Sequence, residues 1–408
     1  MNIKNHLKYF PLSILVGIFA GLTSAIFLHL LKLASDFRIH HMSIIWLLPF
    51  AGLVTGIIYH LYGREVSKGN NLILEEIHDP KKVIPIHMAP FVLLGTLLTH
   101  LFGGSAGREG TAVQMSASIA DNIGNFFKVD QEGRKILLMA GVGAGFGSAI
   151  GAPIAGMIFG MEILYIGKLR LSSWPECLVA SFTAYYIALL LKIPHSDYPQ
   201  IDLPIINPQV IFAVVIAGIV FGLAALIFSR FTHLIEHLSK KIIKAPYLIP
   251  FYFGVIIVGL YYLEGSYRYA GLGIEFIQNS LSSVSSFKDP AYKIFFTSLT
   301  VGSGFKGGEF VPLVFIGATL GSALSIILPA SCSLLGSLGF ASVFAGASNT
   351  PLACAVMAAE IFGWRIFPLS LITCYLSYYS SGHAGIYRSQ KLHRPKHHLI
   401  RSLKNKIF

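Results

Sequence analysis

The sequence has little charge: only 12% of its 408 residues are Asp, Glu, Lys or Arg, against 54% hydrophobic residues and a mean hydropathy of +0.66. Soluble domains carry about 25% charged residues, so a water-facing globule is excluded. Cysteine is scarce as well. Cys177, Cys332, Cys354 and Cys374 lie in or beside apolar segments with no CxxC spacing, which leaves no disulfide framework and no thiolate metal site; they read as small core residues. The 15 histidines form no HExxH pattern, and no polar segment is long enough for a soluble domain. Nothing calls for a metal or another cofactor.

What is abundant is apolar sequence. Runs at 11–34, 43–62, 136–166, 174–191, 209–228, 247–263, 312–328 and 334–362 predict a multi-pass, all-α membrane protein, since about 20 apolar residues span a bilayer as a helix. The runs at 90–102 and 112–120 are short and interrupted, as partial or re-entrant helices are. The first run has no small-residue cleavage site before Lys32 and is read as a retained span rather than a signal peptide. Basic residues are concentrated in a tail at 388–408, where Arg388, Lys391, Arg394, Lys396, Arg401, Lys404 and Lys406 face no acidic residue. On a membrane chain this is a positive-inside signal and an attraction to anionic lipid rather than a nucleic-acid surface. With Lys4, Lys8, Lys240, Lys241 and Lys244, it predicts both termini in the cytoplasm and an even number of full crossings.

Two segments occur twice. Gly103 to Thr111 (GGSAGREGT) is followed by Gly151-Ala152-Pro153 and Glu162, and Gly302 to Glu309 (GSGFKGGE) by Asn349-Thr350-Pro351 and Glu360. The repeated proline precedes the glutamate by 9 residues in both cases (153 to 162, 351 to 360). A duplicated unit follows, with a first transmembrane repeat over 1–205, a second over 206–387 and the basic tail beyond. Glycine-rich, charged breaks at corresponding places of two halves point to a transporter site built from broken helices.

A helix that begins at such a break aims unpaired N–H groups and the positive end of its dipole into the cavity, which favours an anion. Arg108 and Glu109 stand at one break; they either pair with each other or act on a ligand. A carboxylate at a helix N-terminus mimics the anion, so Glu109 can block the site when ionised and leave it when protonated. Glu162 and Glu360, at equivalent repeat positions, read as structural acids accepting bonds from helix ends.

Gly107-Arg108-Glu109-Gly110-Thr111 resembles the Gly-Arg-Glu-Gly-Pro signature of the CLC chloride channel and proton-coupled antiporter family, and Gly308-Glu309-Phe310-Val311-Pro312 resembles its Gly-x-Phe-x-Pro signature. Tyr387 sits where that family has a late, anion-contacting tyrosine. The resemblance implies a homodimer of two inverted-topology repeats with re-entrant helices, one pore per subunit, and anion contacts from Asn70, Gly107, Arg108, Gly110, Thr111, Phe310, Val311 and Tyr387. The departures point to the fluoride-exporting bacterial branch: Asn70 stands in place of the family's chloride-binding serine, and the third motif carries Glu309. Ile163 replaces the glutamate that relays protons from the cytoplasm, so protons need another route, with Glu309 as a candidate. The expected function is fluoride export in exchange for protons across a bacterial inner membrane, with Glu109 and Glu309 handling gating and protons, and with small anions, protons and membrane lipid as partners. A chloride- or nitrate-selective channel or antiporter is the alternative. A remote alternative is an intramembrane serine hydrolase, because Gly103-Gly104-Ser105-Ala106-Gly107 matches Gly-x-Ser-x-Gly with His100 nearby.

Overall fold

The structure, a computed structural model, describes residues 3–201 and 205–396; His397, His398, Arg401, Lys404 and Lys406 of the basic tail lie outside the described residues. The described residues form sixteen helices in two sets of eight. The first set is α1 (Ile3–His40), α2 (Leu48–Leu61), α3 (Asn70–His78), α4 (Met88–Leu101), α5 (Glu109–Phe126), α6 (Gln131–Ile150), α7 (Pro153–Glu162) and α8 (Trp174–Leu190). The second is α9 (Pro208–Ile242), α10 (Ile249–Glu264), α11 (Ile274–Ser280), α12 (Lys288–Gly302), α13 (Phe310–Leu324), α14 (Cys332–Ser348), α15 (Pro351–Phe362) and α16 (Phe367–Ser380).

The sets pack alike. Within the first, α1 lies on α6 and α8, and α5 on α6; within the second, α9 lies on α14 and α16, and α13 on α14. Across the halves, α2 meets α10, α5 meets α13 and α7 meets α15. Each element meeting its own counterpart is the mark of a two-fold relation. Among the described residues four segments are long and apolar enough to cross a membrane, Lys8–His40, Met42–Leu61, Pro208–Ile242 and Pro246–Glu264, and these too are counterparts.

Two of the runs expected to be continuous are broken. The run at 136–166 divides into α6 and α7, and that at 334–362 into α14 and α15. The cause is local and repeated. Gly151 (φ +85°) and Asn349 (φ +60°) take the left-handed conformation that ends a helix, and Pro153 and Pro351 then open the next one, where a missing N–H costs nothing. The starts of α6 and α14 also correspond: Asp130 accepts the N–H of Gly133 at 2.8 Å, and Ser331 that of Leu334 at 3.2 Å. The Gly133 amide, with the Tyr9 hydroxyl, holds the Asp130 carboxyl below its usual range. Helices α12, with Lys288, Asp289 and Lys293, and α16, rich in Ser, Thr and Tyr, escape a reading by apolar runs.

Glycine sets the closeness of the packing. A Cβ on Gly156 of α7 would come 2.6 Å from the carbonyl oxygen of Gly143 on α6, so only glycine lets these backbones touch. Short helices α7 and α15 are then locked to each other by their acids. The N–H groups of Leu352 and Ala353 donate to Glu162 at 3.1 and 2.8 Å, while those of Ile154 and Ala155 donate to Glu360 at 2.9 and 2.7 Å. Each glutamate thus caps the other half's helix, which bears out the structural reading of both acids.

Removing either cap should cost about 1–2 kcal/mol. We expect Glu162→Ala and Glu360→Ala each to lower the thermal unfolding midpoint of the detergent-solubilised protein. A wild-type midpoint in both would remove the caps from the stability of the fold.

Candidate functional site

Gly107 and Gly308, in the two glycine-rich breaks, form an antiparallel bridge: the Gly107 N–H donates to the Gly308 carbonyl at 2.5 Å, and the Gly308 N–H returns the bond at 2.7 Å. Helix α5 begins two residues after the first glycine and α13 two residues after the second, so both N-termini start from one point. The bridge also fixes the repeat register. Arg108 corresponds to Glu309, and Glu109 to Phe310, so the two motif glutamates differ by one position in the duplicated frame.

The N-terminus of α13 keeps free donors. Leu313 is its first residue to donate backward, to the Glu309 carbonyl at 3.0 Å, and Pro312 has no N–H. Among the described residues nothing accepts the N–H groups of Phe310 and Val311. At α5, by contrast, a carboxylate already sits on the helix end: Glu109 accepts the Arg108 N–H on Oε2 and the Arg108 Nε–H on Oε1, both at 3.2 Å. Arg108 reaches on to the Ser196 hydroxyl at 3.3 Å. Both charged residues are buried, and the pairing considered from sequence is therefore realised.

Arg108 and Glu109 line a small cavity with Ser196, Tyr198, Phe310 and Phe340. Val311 lines it too, and the Phe310 ring is held edge-on by Phe344 at 4.7 Å and Phe146 at 5.5 Å. Beyond lies a vestibule of about 900 Å³ whose wall includes Asn70, Gln114, Lys306, Glu309 and Tyr387. Asn70 is the first residue of α3, after Gly69 at φ +56°, and its Nδ2 lies 3.3 Å from where a Cβ on Gly110 would stand. The Glu309 carboxylate makes no hydrogen bond or ion pair among the described residues, nor does the Tyr387 hydroxyl. Tyr387 is carried by a loop that Arg388 ties to Glu236 of α9 at 2.7 Å.

Other expected residues fall elsewhere. The Thr111 hydroxyl pairs with that of Thr96 at 2.7 Å and its N–H donates to the Arg108 carbonyl, so its polar groups are already used. Ile163 is buried, with Gln390 donating to its carbonyl at 2.8 Å, and offers no polar path. Ser105 is buried against the Thr297 hydroxyl at 2.9 Å, whereas His100 is bonded to the Gly107 carbonyl at 3.3 Å; the nucleophile and base of a hydrolase are not together. Gln114 and Lys306 were not predicted. Gln114 sits five residues after Glu109, about 140° around α5, so the Glu109 face carried no signal for it, and Lys306 stands in irregular chain.

Known proteins resemble the chain over nearly all its length. The model of the voltage gated chloride channel family matches residues 51–382. A "Chloride/fluoride channel protein" of Pseudomonas syringae pv. tomato is 45% identical, over 96% of this chain and 88% of that protein. A "Voltage-gated ClC-type chloride channel ClcB" of Salmonella dublin is 30% identical over 72% and 74% of the respective chains. The crystal structure of a CLC-type fluoride/proton antiporter superposes with a TM-score of 0.92 at 32% identity, covering 96% of this chain and all of that one.

The pairing of Ser105 with Thr297 predicts a purely structural effect. Ser105→Ala should cost about 1 kcal/mol of stability and leave anion flux per folded molecule unchanged. Loss of flux in a normally folded variant would give the serine a chemical role.

Proposed function

We propose that this chain, which belongs to the voltage gated chloride channel family, exports fluoride from a bacterial cytoplasm in exchange for protons. The observation that carries the reading is the carboxylate of Glu109 lying on the N-terminus of its own helix, where an anion would bind, in a small cavity also lined by Phe310 and Val311, whose N–H groups are free. Family membership makes the chain an anion-transporting membrane protein rather than an enzyme. Fluoride rather than chloride, the roles of the glutamates, a homodimer, and a plasma membrane with both termini inside belong to this proposal.

In the proposed cycle the vestibule faces the cytoplasm, consistent with Arg64, Lys68, Lys240 and Arg388 at its rim. Fluoride is small and strongly hydrated, so it needs close donors in place of water. The Phe310 and Val311 N–H groups, the Asn70 amide and the Tyr387 hydroxyl are suited to supply them. Glu109, ionised, competes for the same positive helix ends and bars the outward path. Once protonated it loses its charge-assisted bonds to Arg108 and releases the site, so an anion passes outward as a proton passes inward. Glu309, whose carboxylate has no partner on the vestibule wall, takes that proton to the cytoplasmic water in this cycle, in the absence of a relay at Ile163. The names of the chloride/fluoride channel relative and of the fluoride/proton antiporter structure support this choice of ions; the former name also keeps chloride as a second reading.

In proteoliposomes with simultaneous fluoride and pH recording, Glu109→Gln should abolish coupled proton movement and leave flux absent or passive; unaltered exchange would remove Glu109 from the gate. Fluoride flux should exceed chloride flux by at least about tenfold, which needs only about 1.4 kcal/mol of preference at the barrier. Equal fluxes would favour the chloride reading. Glu309→Gln should fold normally and slow fluoride-driven proton movement, whereas a variant that exchanges normally would leave the acid without a part in the cycle.

A further inference from the structure

The vestibule is ringed by cations, and most are compensated. Lys68 pairs with Glu75 at 2.7 Å; Lys240 and Arg388 share Glu236 at 2.6 and 2.7 Å; Arg64 donates to the His60 carbonyl at 2.8 Å and to its ring at 3.0 Å. Lys306 differs. It makes no ion pair or hydrogen bond among the described residues, and its ammonium rests 4.0 Å from the centre of the Tyr59 ring. Its stem is packed: a Cβ on Gly95 of α4 would come 2.7 Å from Lys306 Cγ, so the missing side chain there makes room for the lysine. The residue stands just before the Gly107–Gly308 bridge, where the chain turns toward the N-terminus of α13.

An ammonium drawn into a protein wall without a counter-charge is costly, and an aromatic face offsets only part of that cost. The remainder is recovered whenever an anion comes alongside. Lys306 therefore has what a passing anion requires: three N–H donors, a held position and no carboxylate to compete. Resting on the fluoride/proton reading, we propose that Lys306, seated on Tyr59, is a transit site in the vestibule wall that takes up a small hard anion, fluoride, before it reaches the helix ends at the bridge. It acts on capture rather than on exchange. Concentrating the anion at a low-dielectric neck raises the rate of entry, while the coupling to protons stays with the carboxylates.

Four proteins separate charge from packing: wild type, Lys306→Cys, and Lys306→Cys reacted either with an aminoethyl or with a sulfonatoethyl thiosulfonate, with treated wild type as control. Fluoride flux is measured against fluoride concentration on the vestibule side, with pH recorded together. For Lys306→Cys the half-saturating fluoride concentration should rise about tenfold, with maximal flux and the proton-to-fluoride ratio unchanged. The aminoethyl adduct should bring it back toward wild type and the sulfonate should raise it further. Equal effects of the two reagents, or a wild-type half-saturation in unreacted Lys306→Cys, would overturn the proposal. Should that variant not fold, Lys306→Arg against Lys306→Gln decides: uptake kept by arginine and weakened by glutamine supports the site, and equal uptake refutes it. A wild-type protein that moves no fluoride against protons would instead overturn the fluoride/proton reading itself.

Discussion

The structure depends on the two hydrogen bonds exchanged by Gly107 and Gly308. Inside a membrane, backbone outside a helix survives only where its polar groups are paired within the protein or line a cavity. The bridge meets that condition by setting each break against the other. Its consequence is selective: the glycine amides are consumed, while the Phe310 and Val311 N–H groups one turn onward remain free. The same two bonds that make broken helices tolerable thus leave donors where an anion can use them. Glycine is required on both sides, since a Cβ on Gly107 would stand 3.0 Å from the Gly308 carbonyl oxygen and from the Val311 nitrogen.

The second exchange, between Glu162 and Glu360, solves the same problem farther from the centre. Helices of 10 and 12 residues cannot span a bilayer, so α7 and α15 begin within the protein and their first amides need acceptors. Each receives a carboxylate from the far end of its counterpart. A duplicated sequence makes such reciprocity easy, because one glutamate placed 9 residues after one proline serves both halves. Glu109 is a different acid by position. It lies at the start of its helix, on its own donors and beside Arg108, and so can be exchanged for a ligand without unseating another helix.

Much of this was legible in the sequence. The repeated proline-to-glutamate interval marked the caps, and the glycine breaks marked where α5 and α13 begin. Two features misled. Apolar runs at 136–166 and 334–362 hide helix ends, because left-handed Gly151 and Asn349 interrupt the backbone without interrupting the hydrophobicity. Likeness of residue type is also no guide to the two motif glutamates, since the bridge pairs Gly107 with Gly308 and so sets Glu109 against Phe310. The polar α12 and the serine-rich α16 carried little apolar signal, because each buries a face rich in small and polar residues against neighbouring helices and exposes only a few large apolar side chains, among them Phe295 on one and Ile372 on the other. Lys306 had none either, for its meaning comes from Tyr59 and Gly95, more than two hundred residues away in sequence.

The one-position offset has a mechanistic side. An exact repeat would put like groups on both faces of the bridge, giving two equivalent gates or none. Here the helix-start position carries a carboxylate in one half and a phenyl ring in the other, while the capping position carries a guanidinium in one and a carboxylate in the other. Glu109 and the Phe310 ring consequently face the small cavity, and Glu309 the vestibule. In the proposed cycle a proton going from one acid to the other would pass where the anion also passes. Two ions would then share one gap, one of them carried by a group that occupies the other's site, so that neither would move independently and their movement would be an exchange.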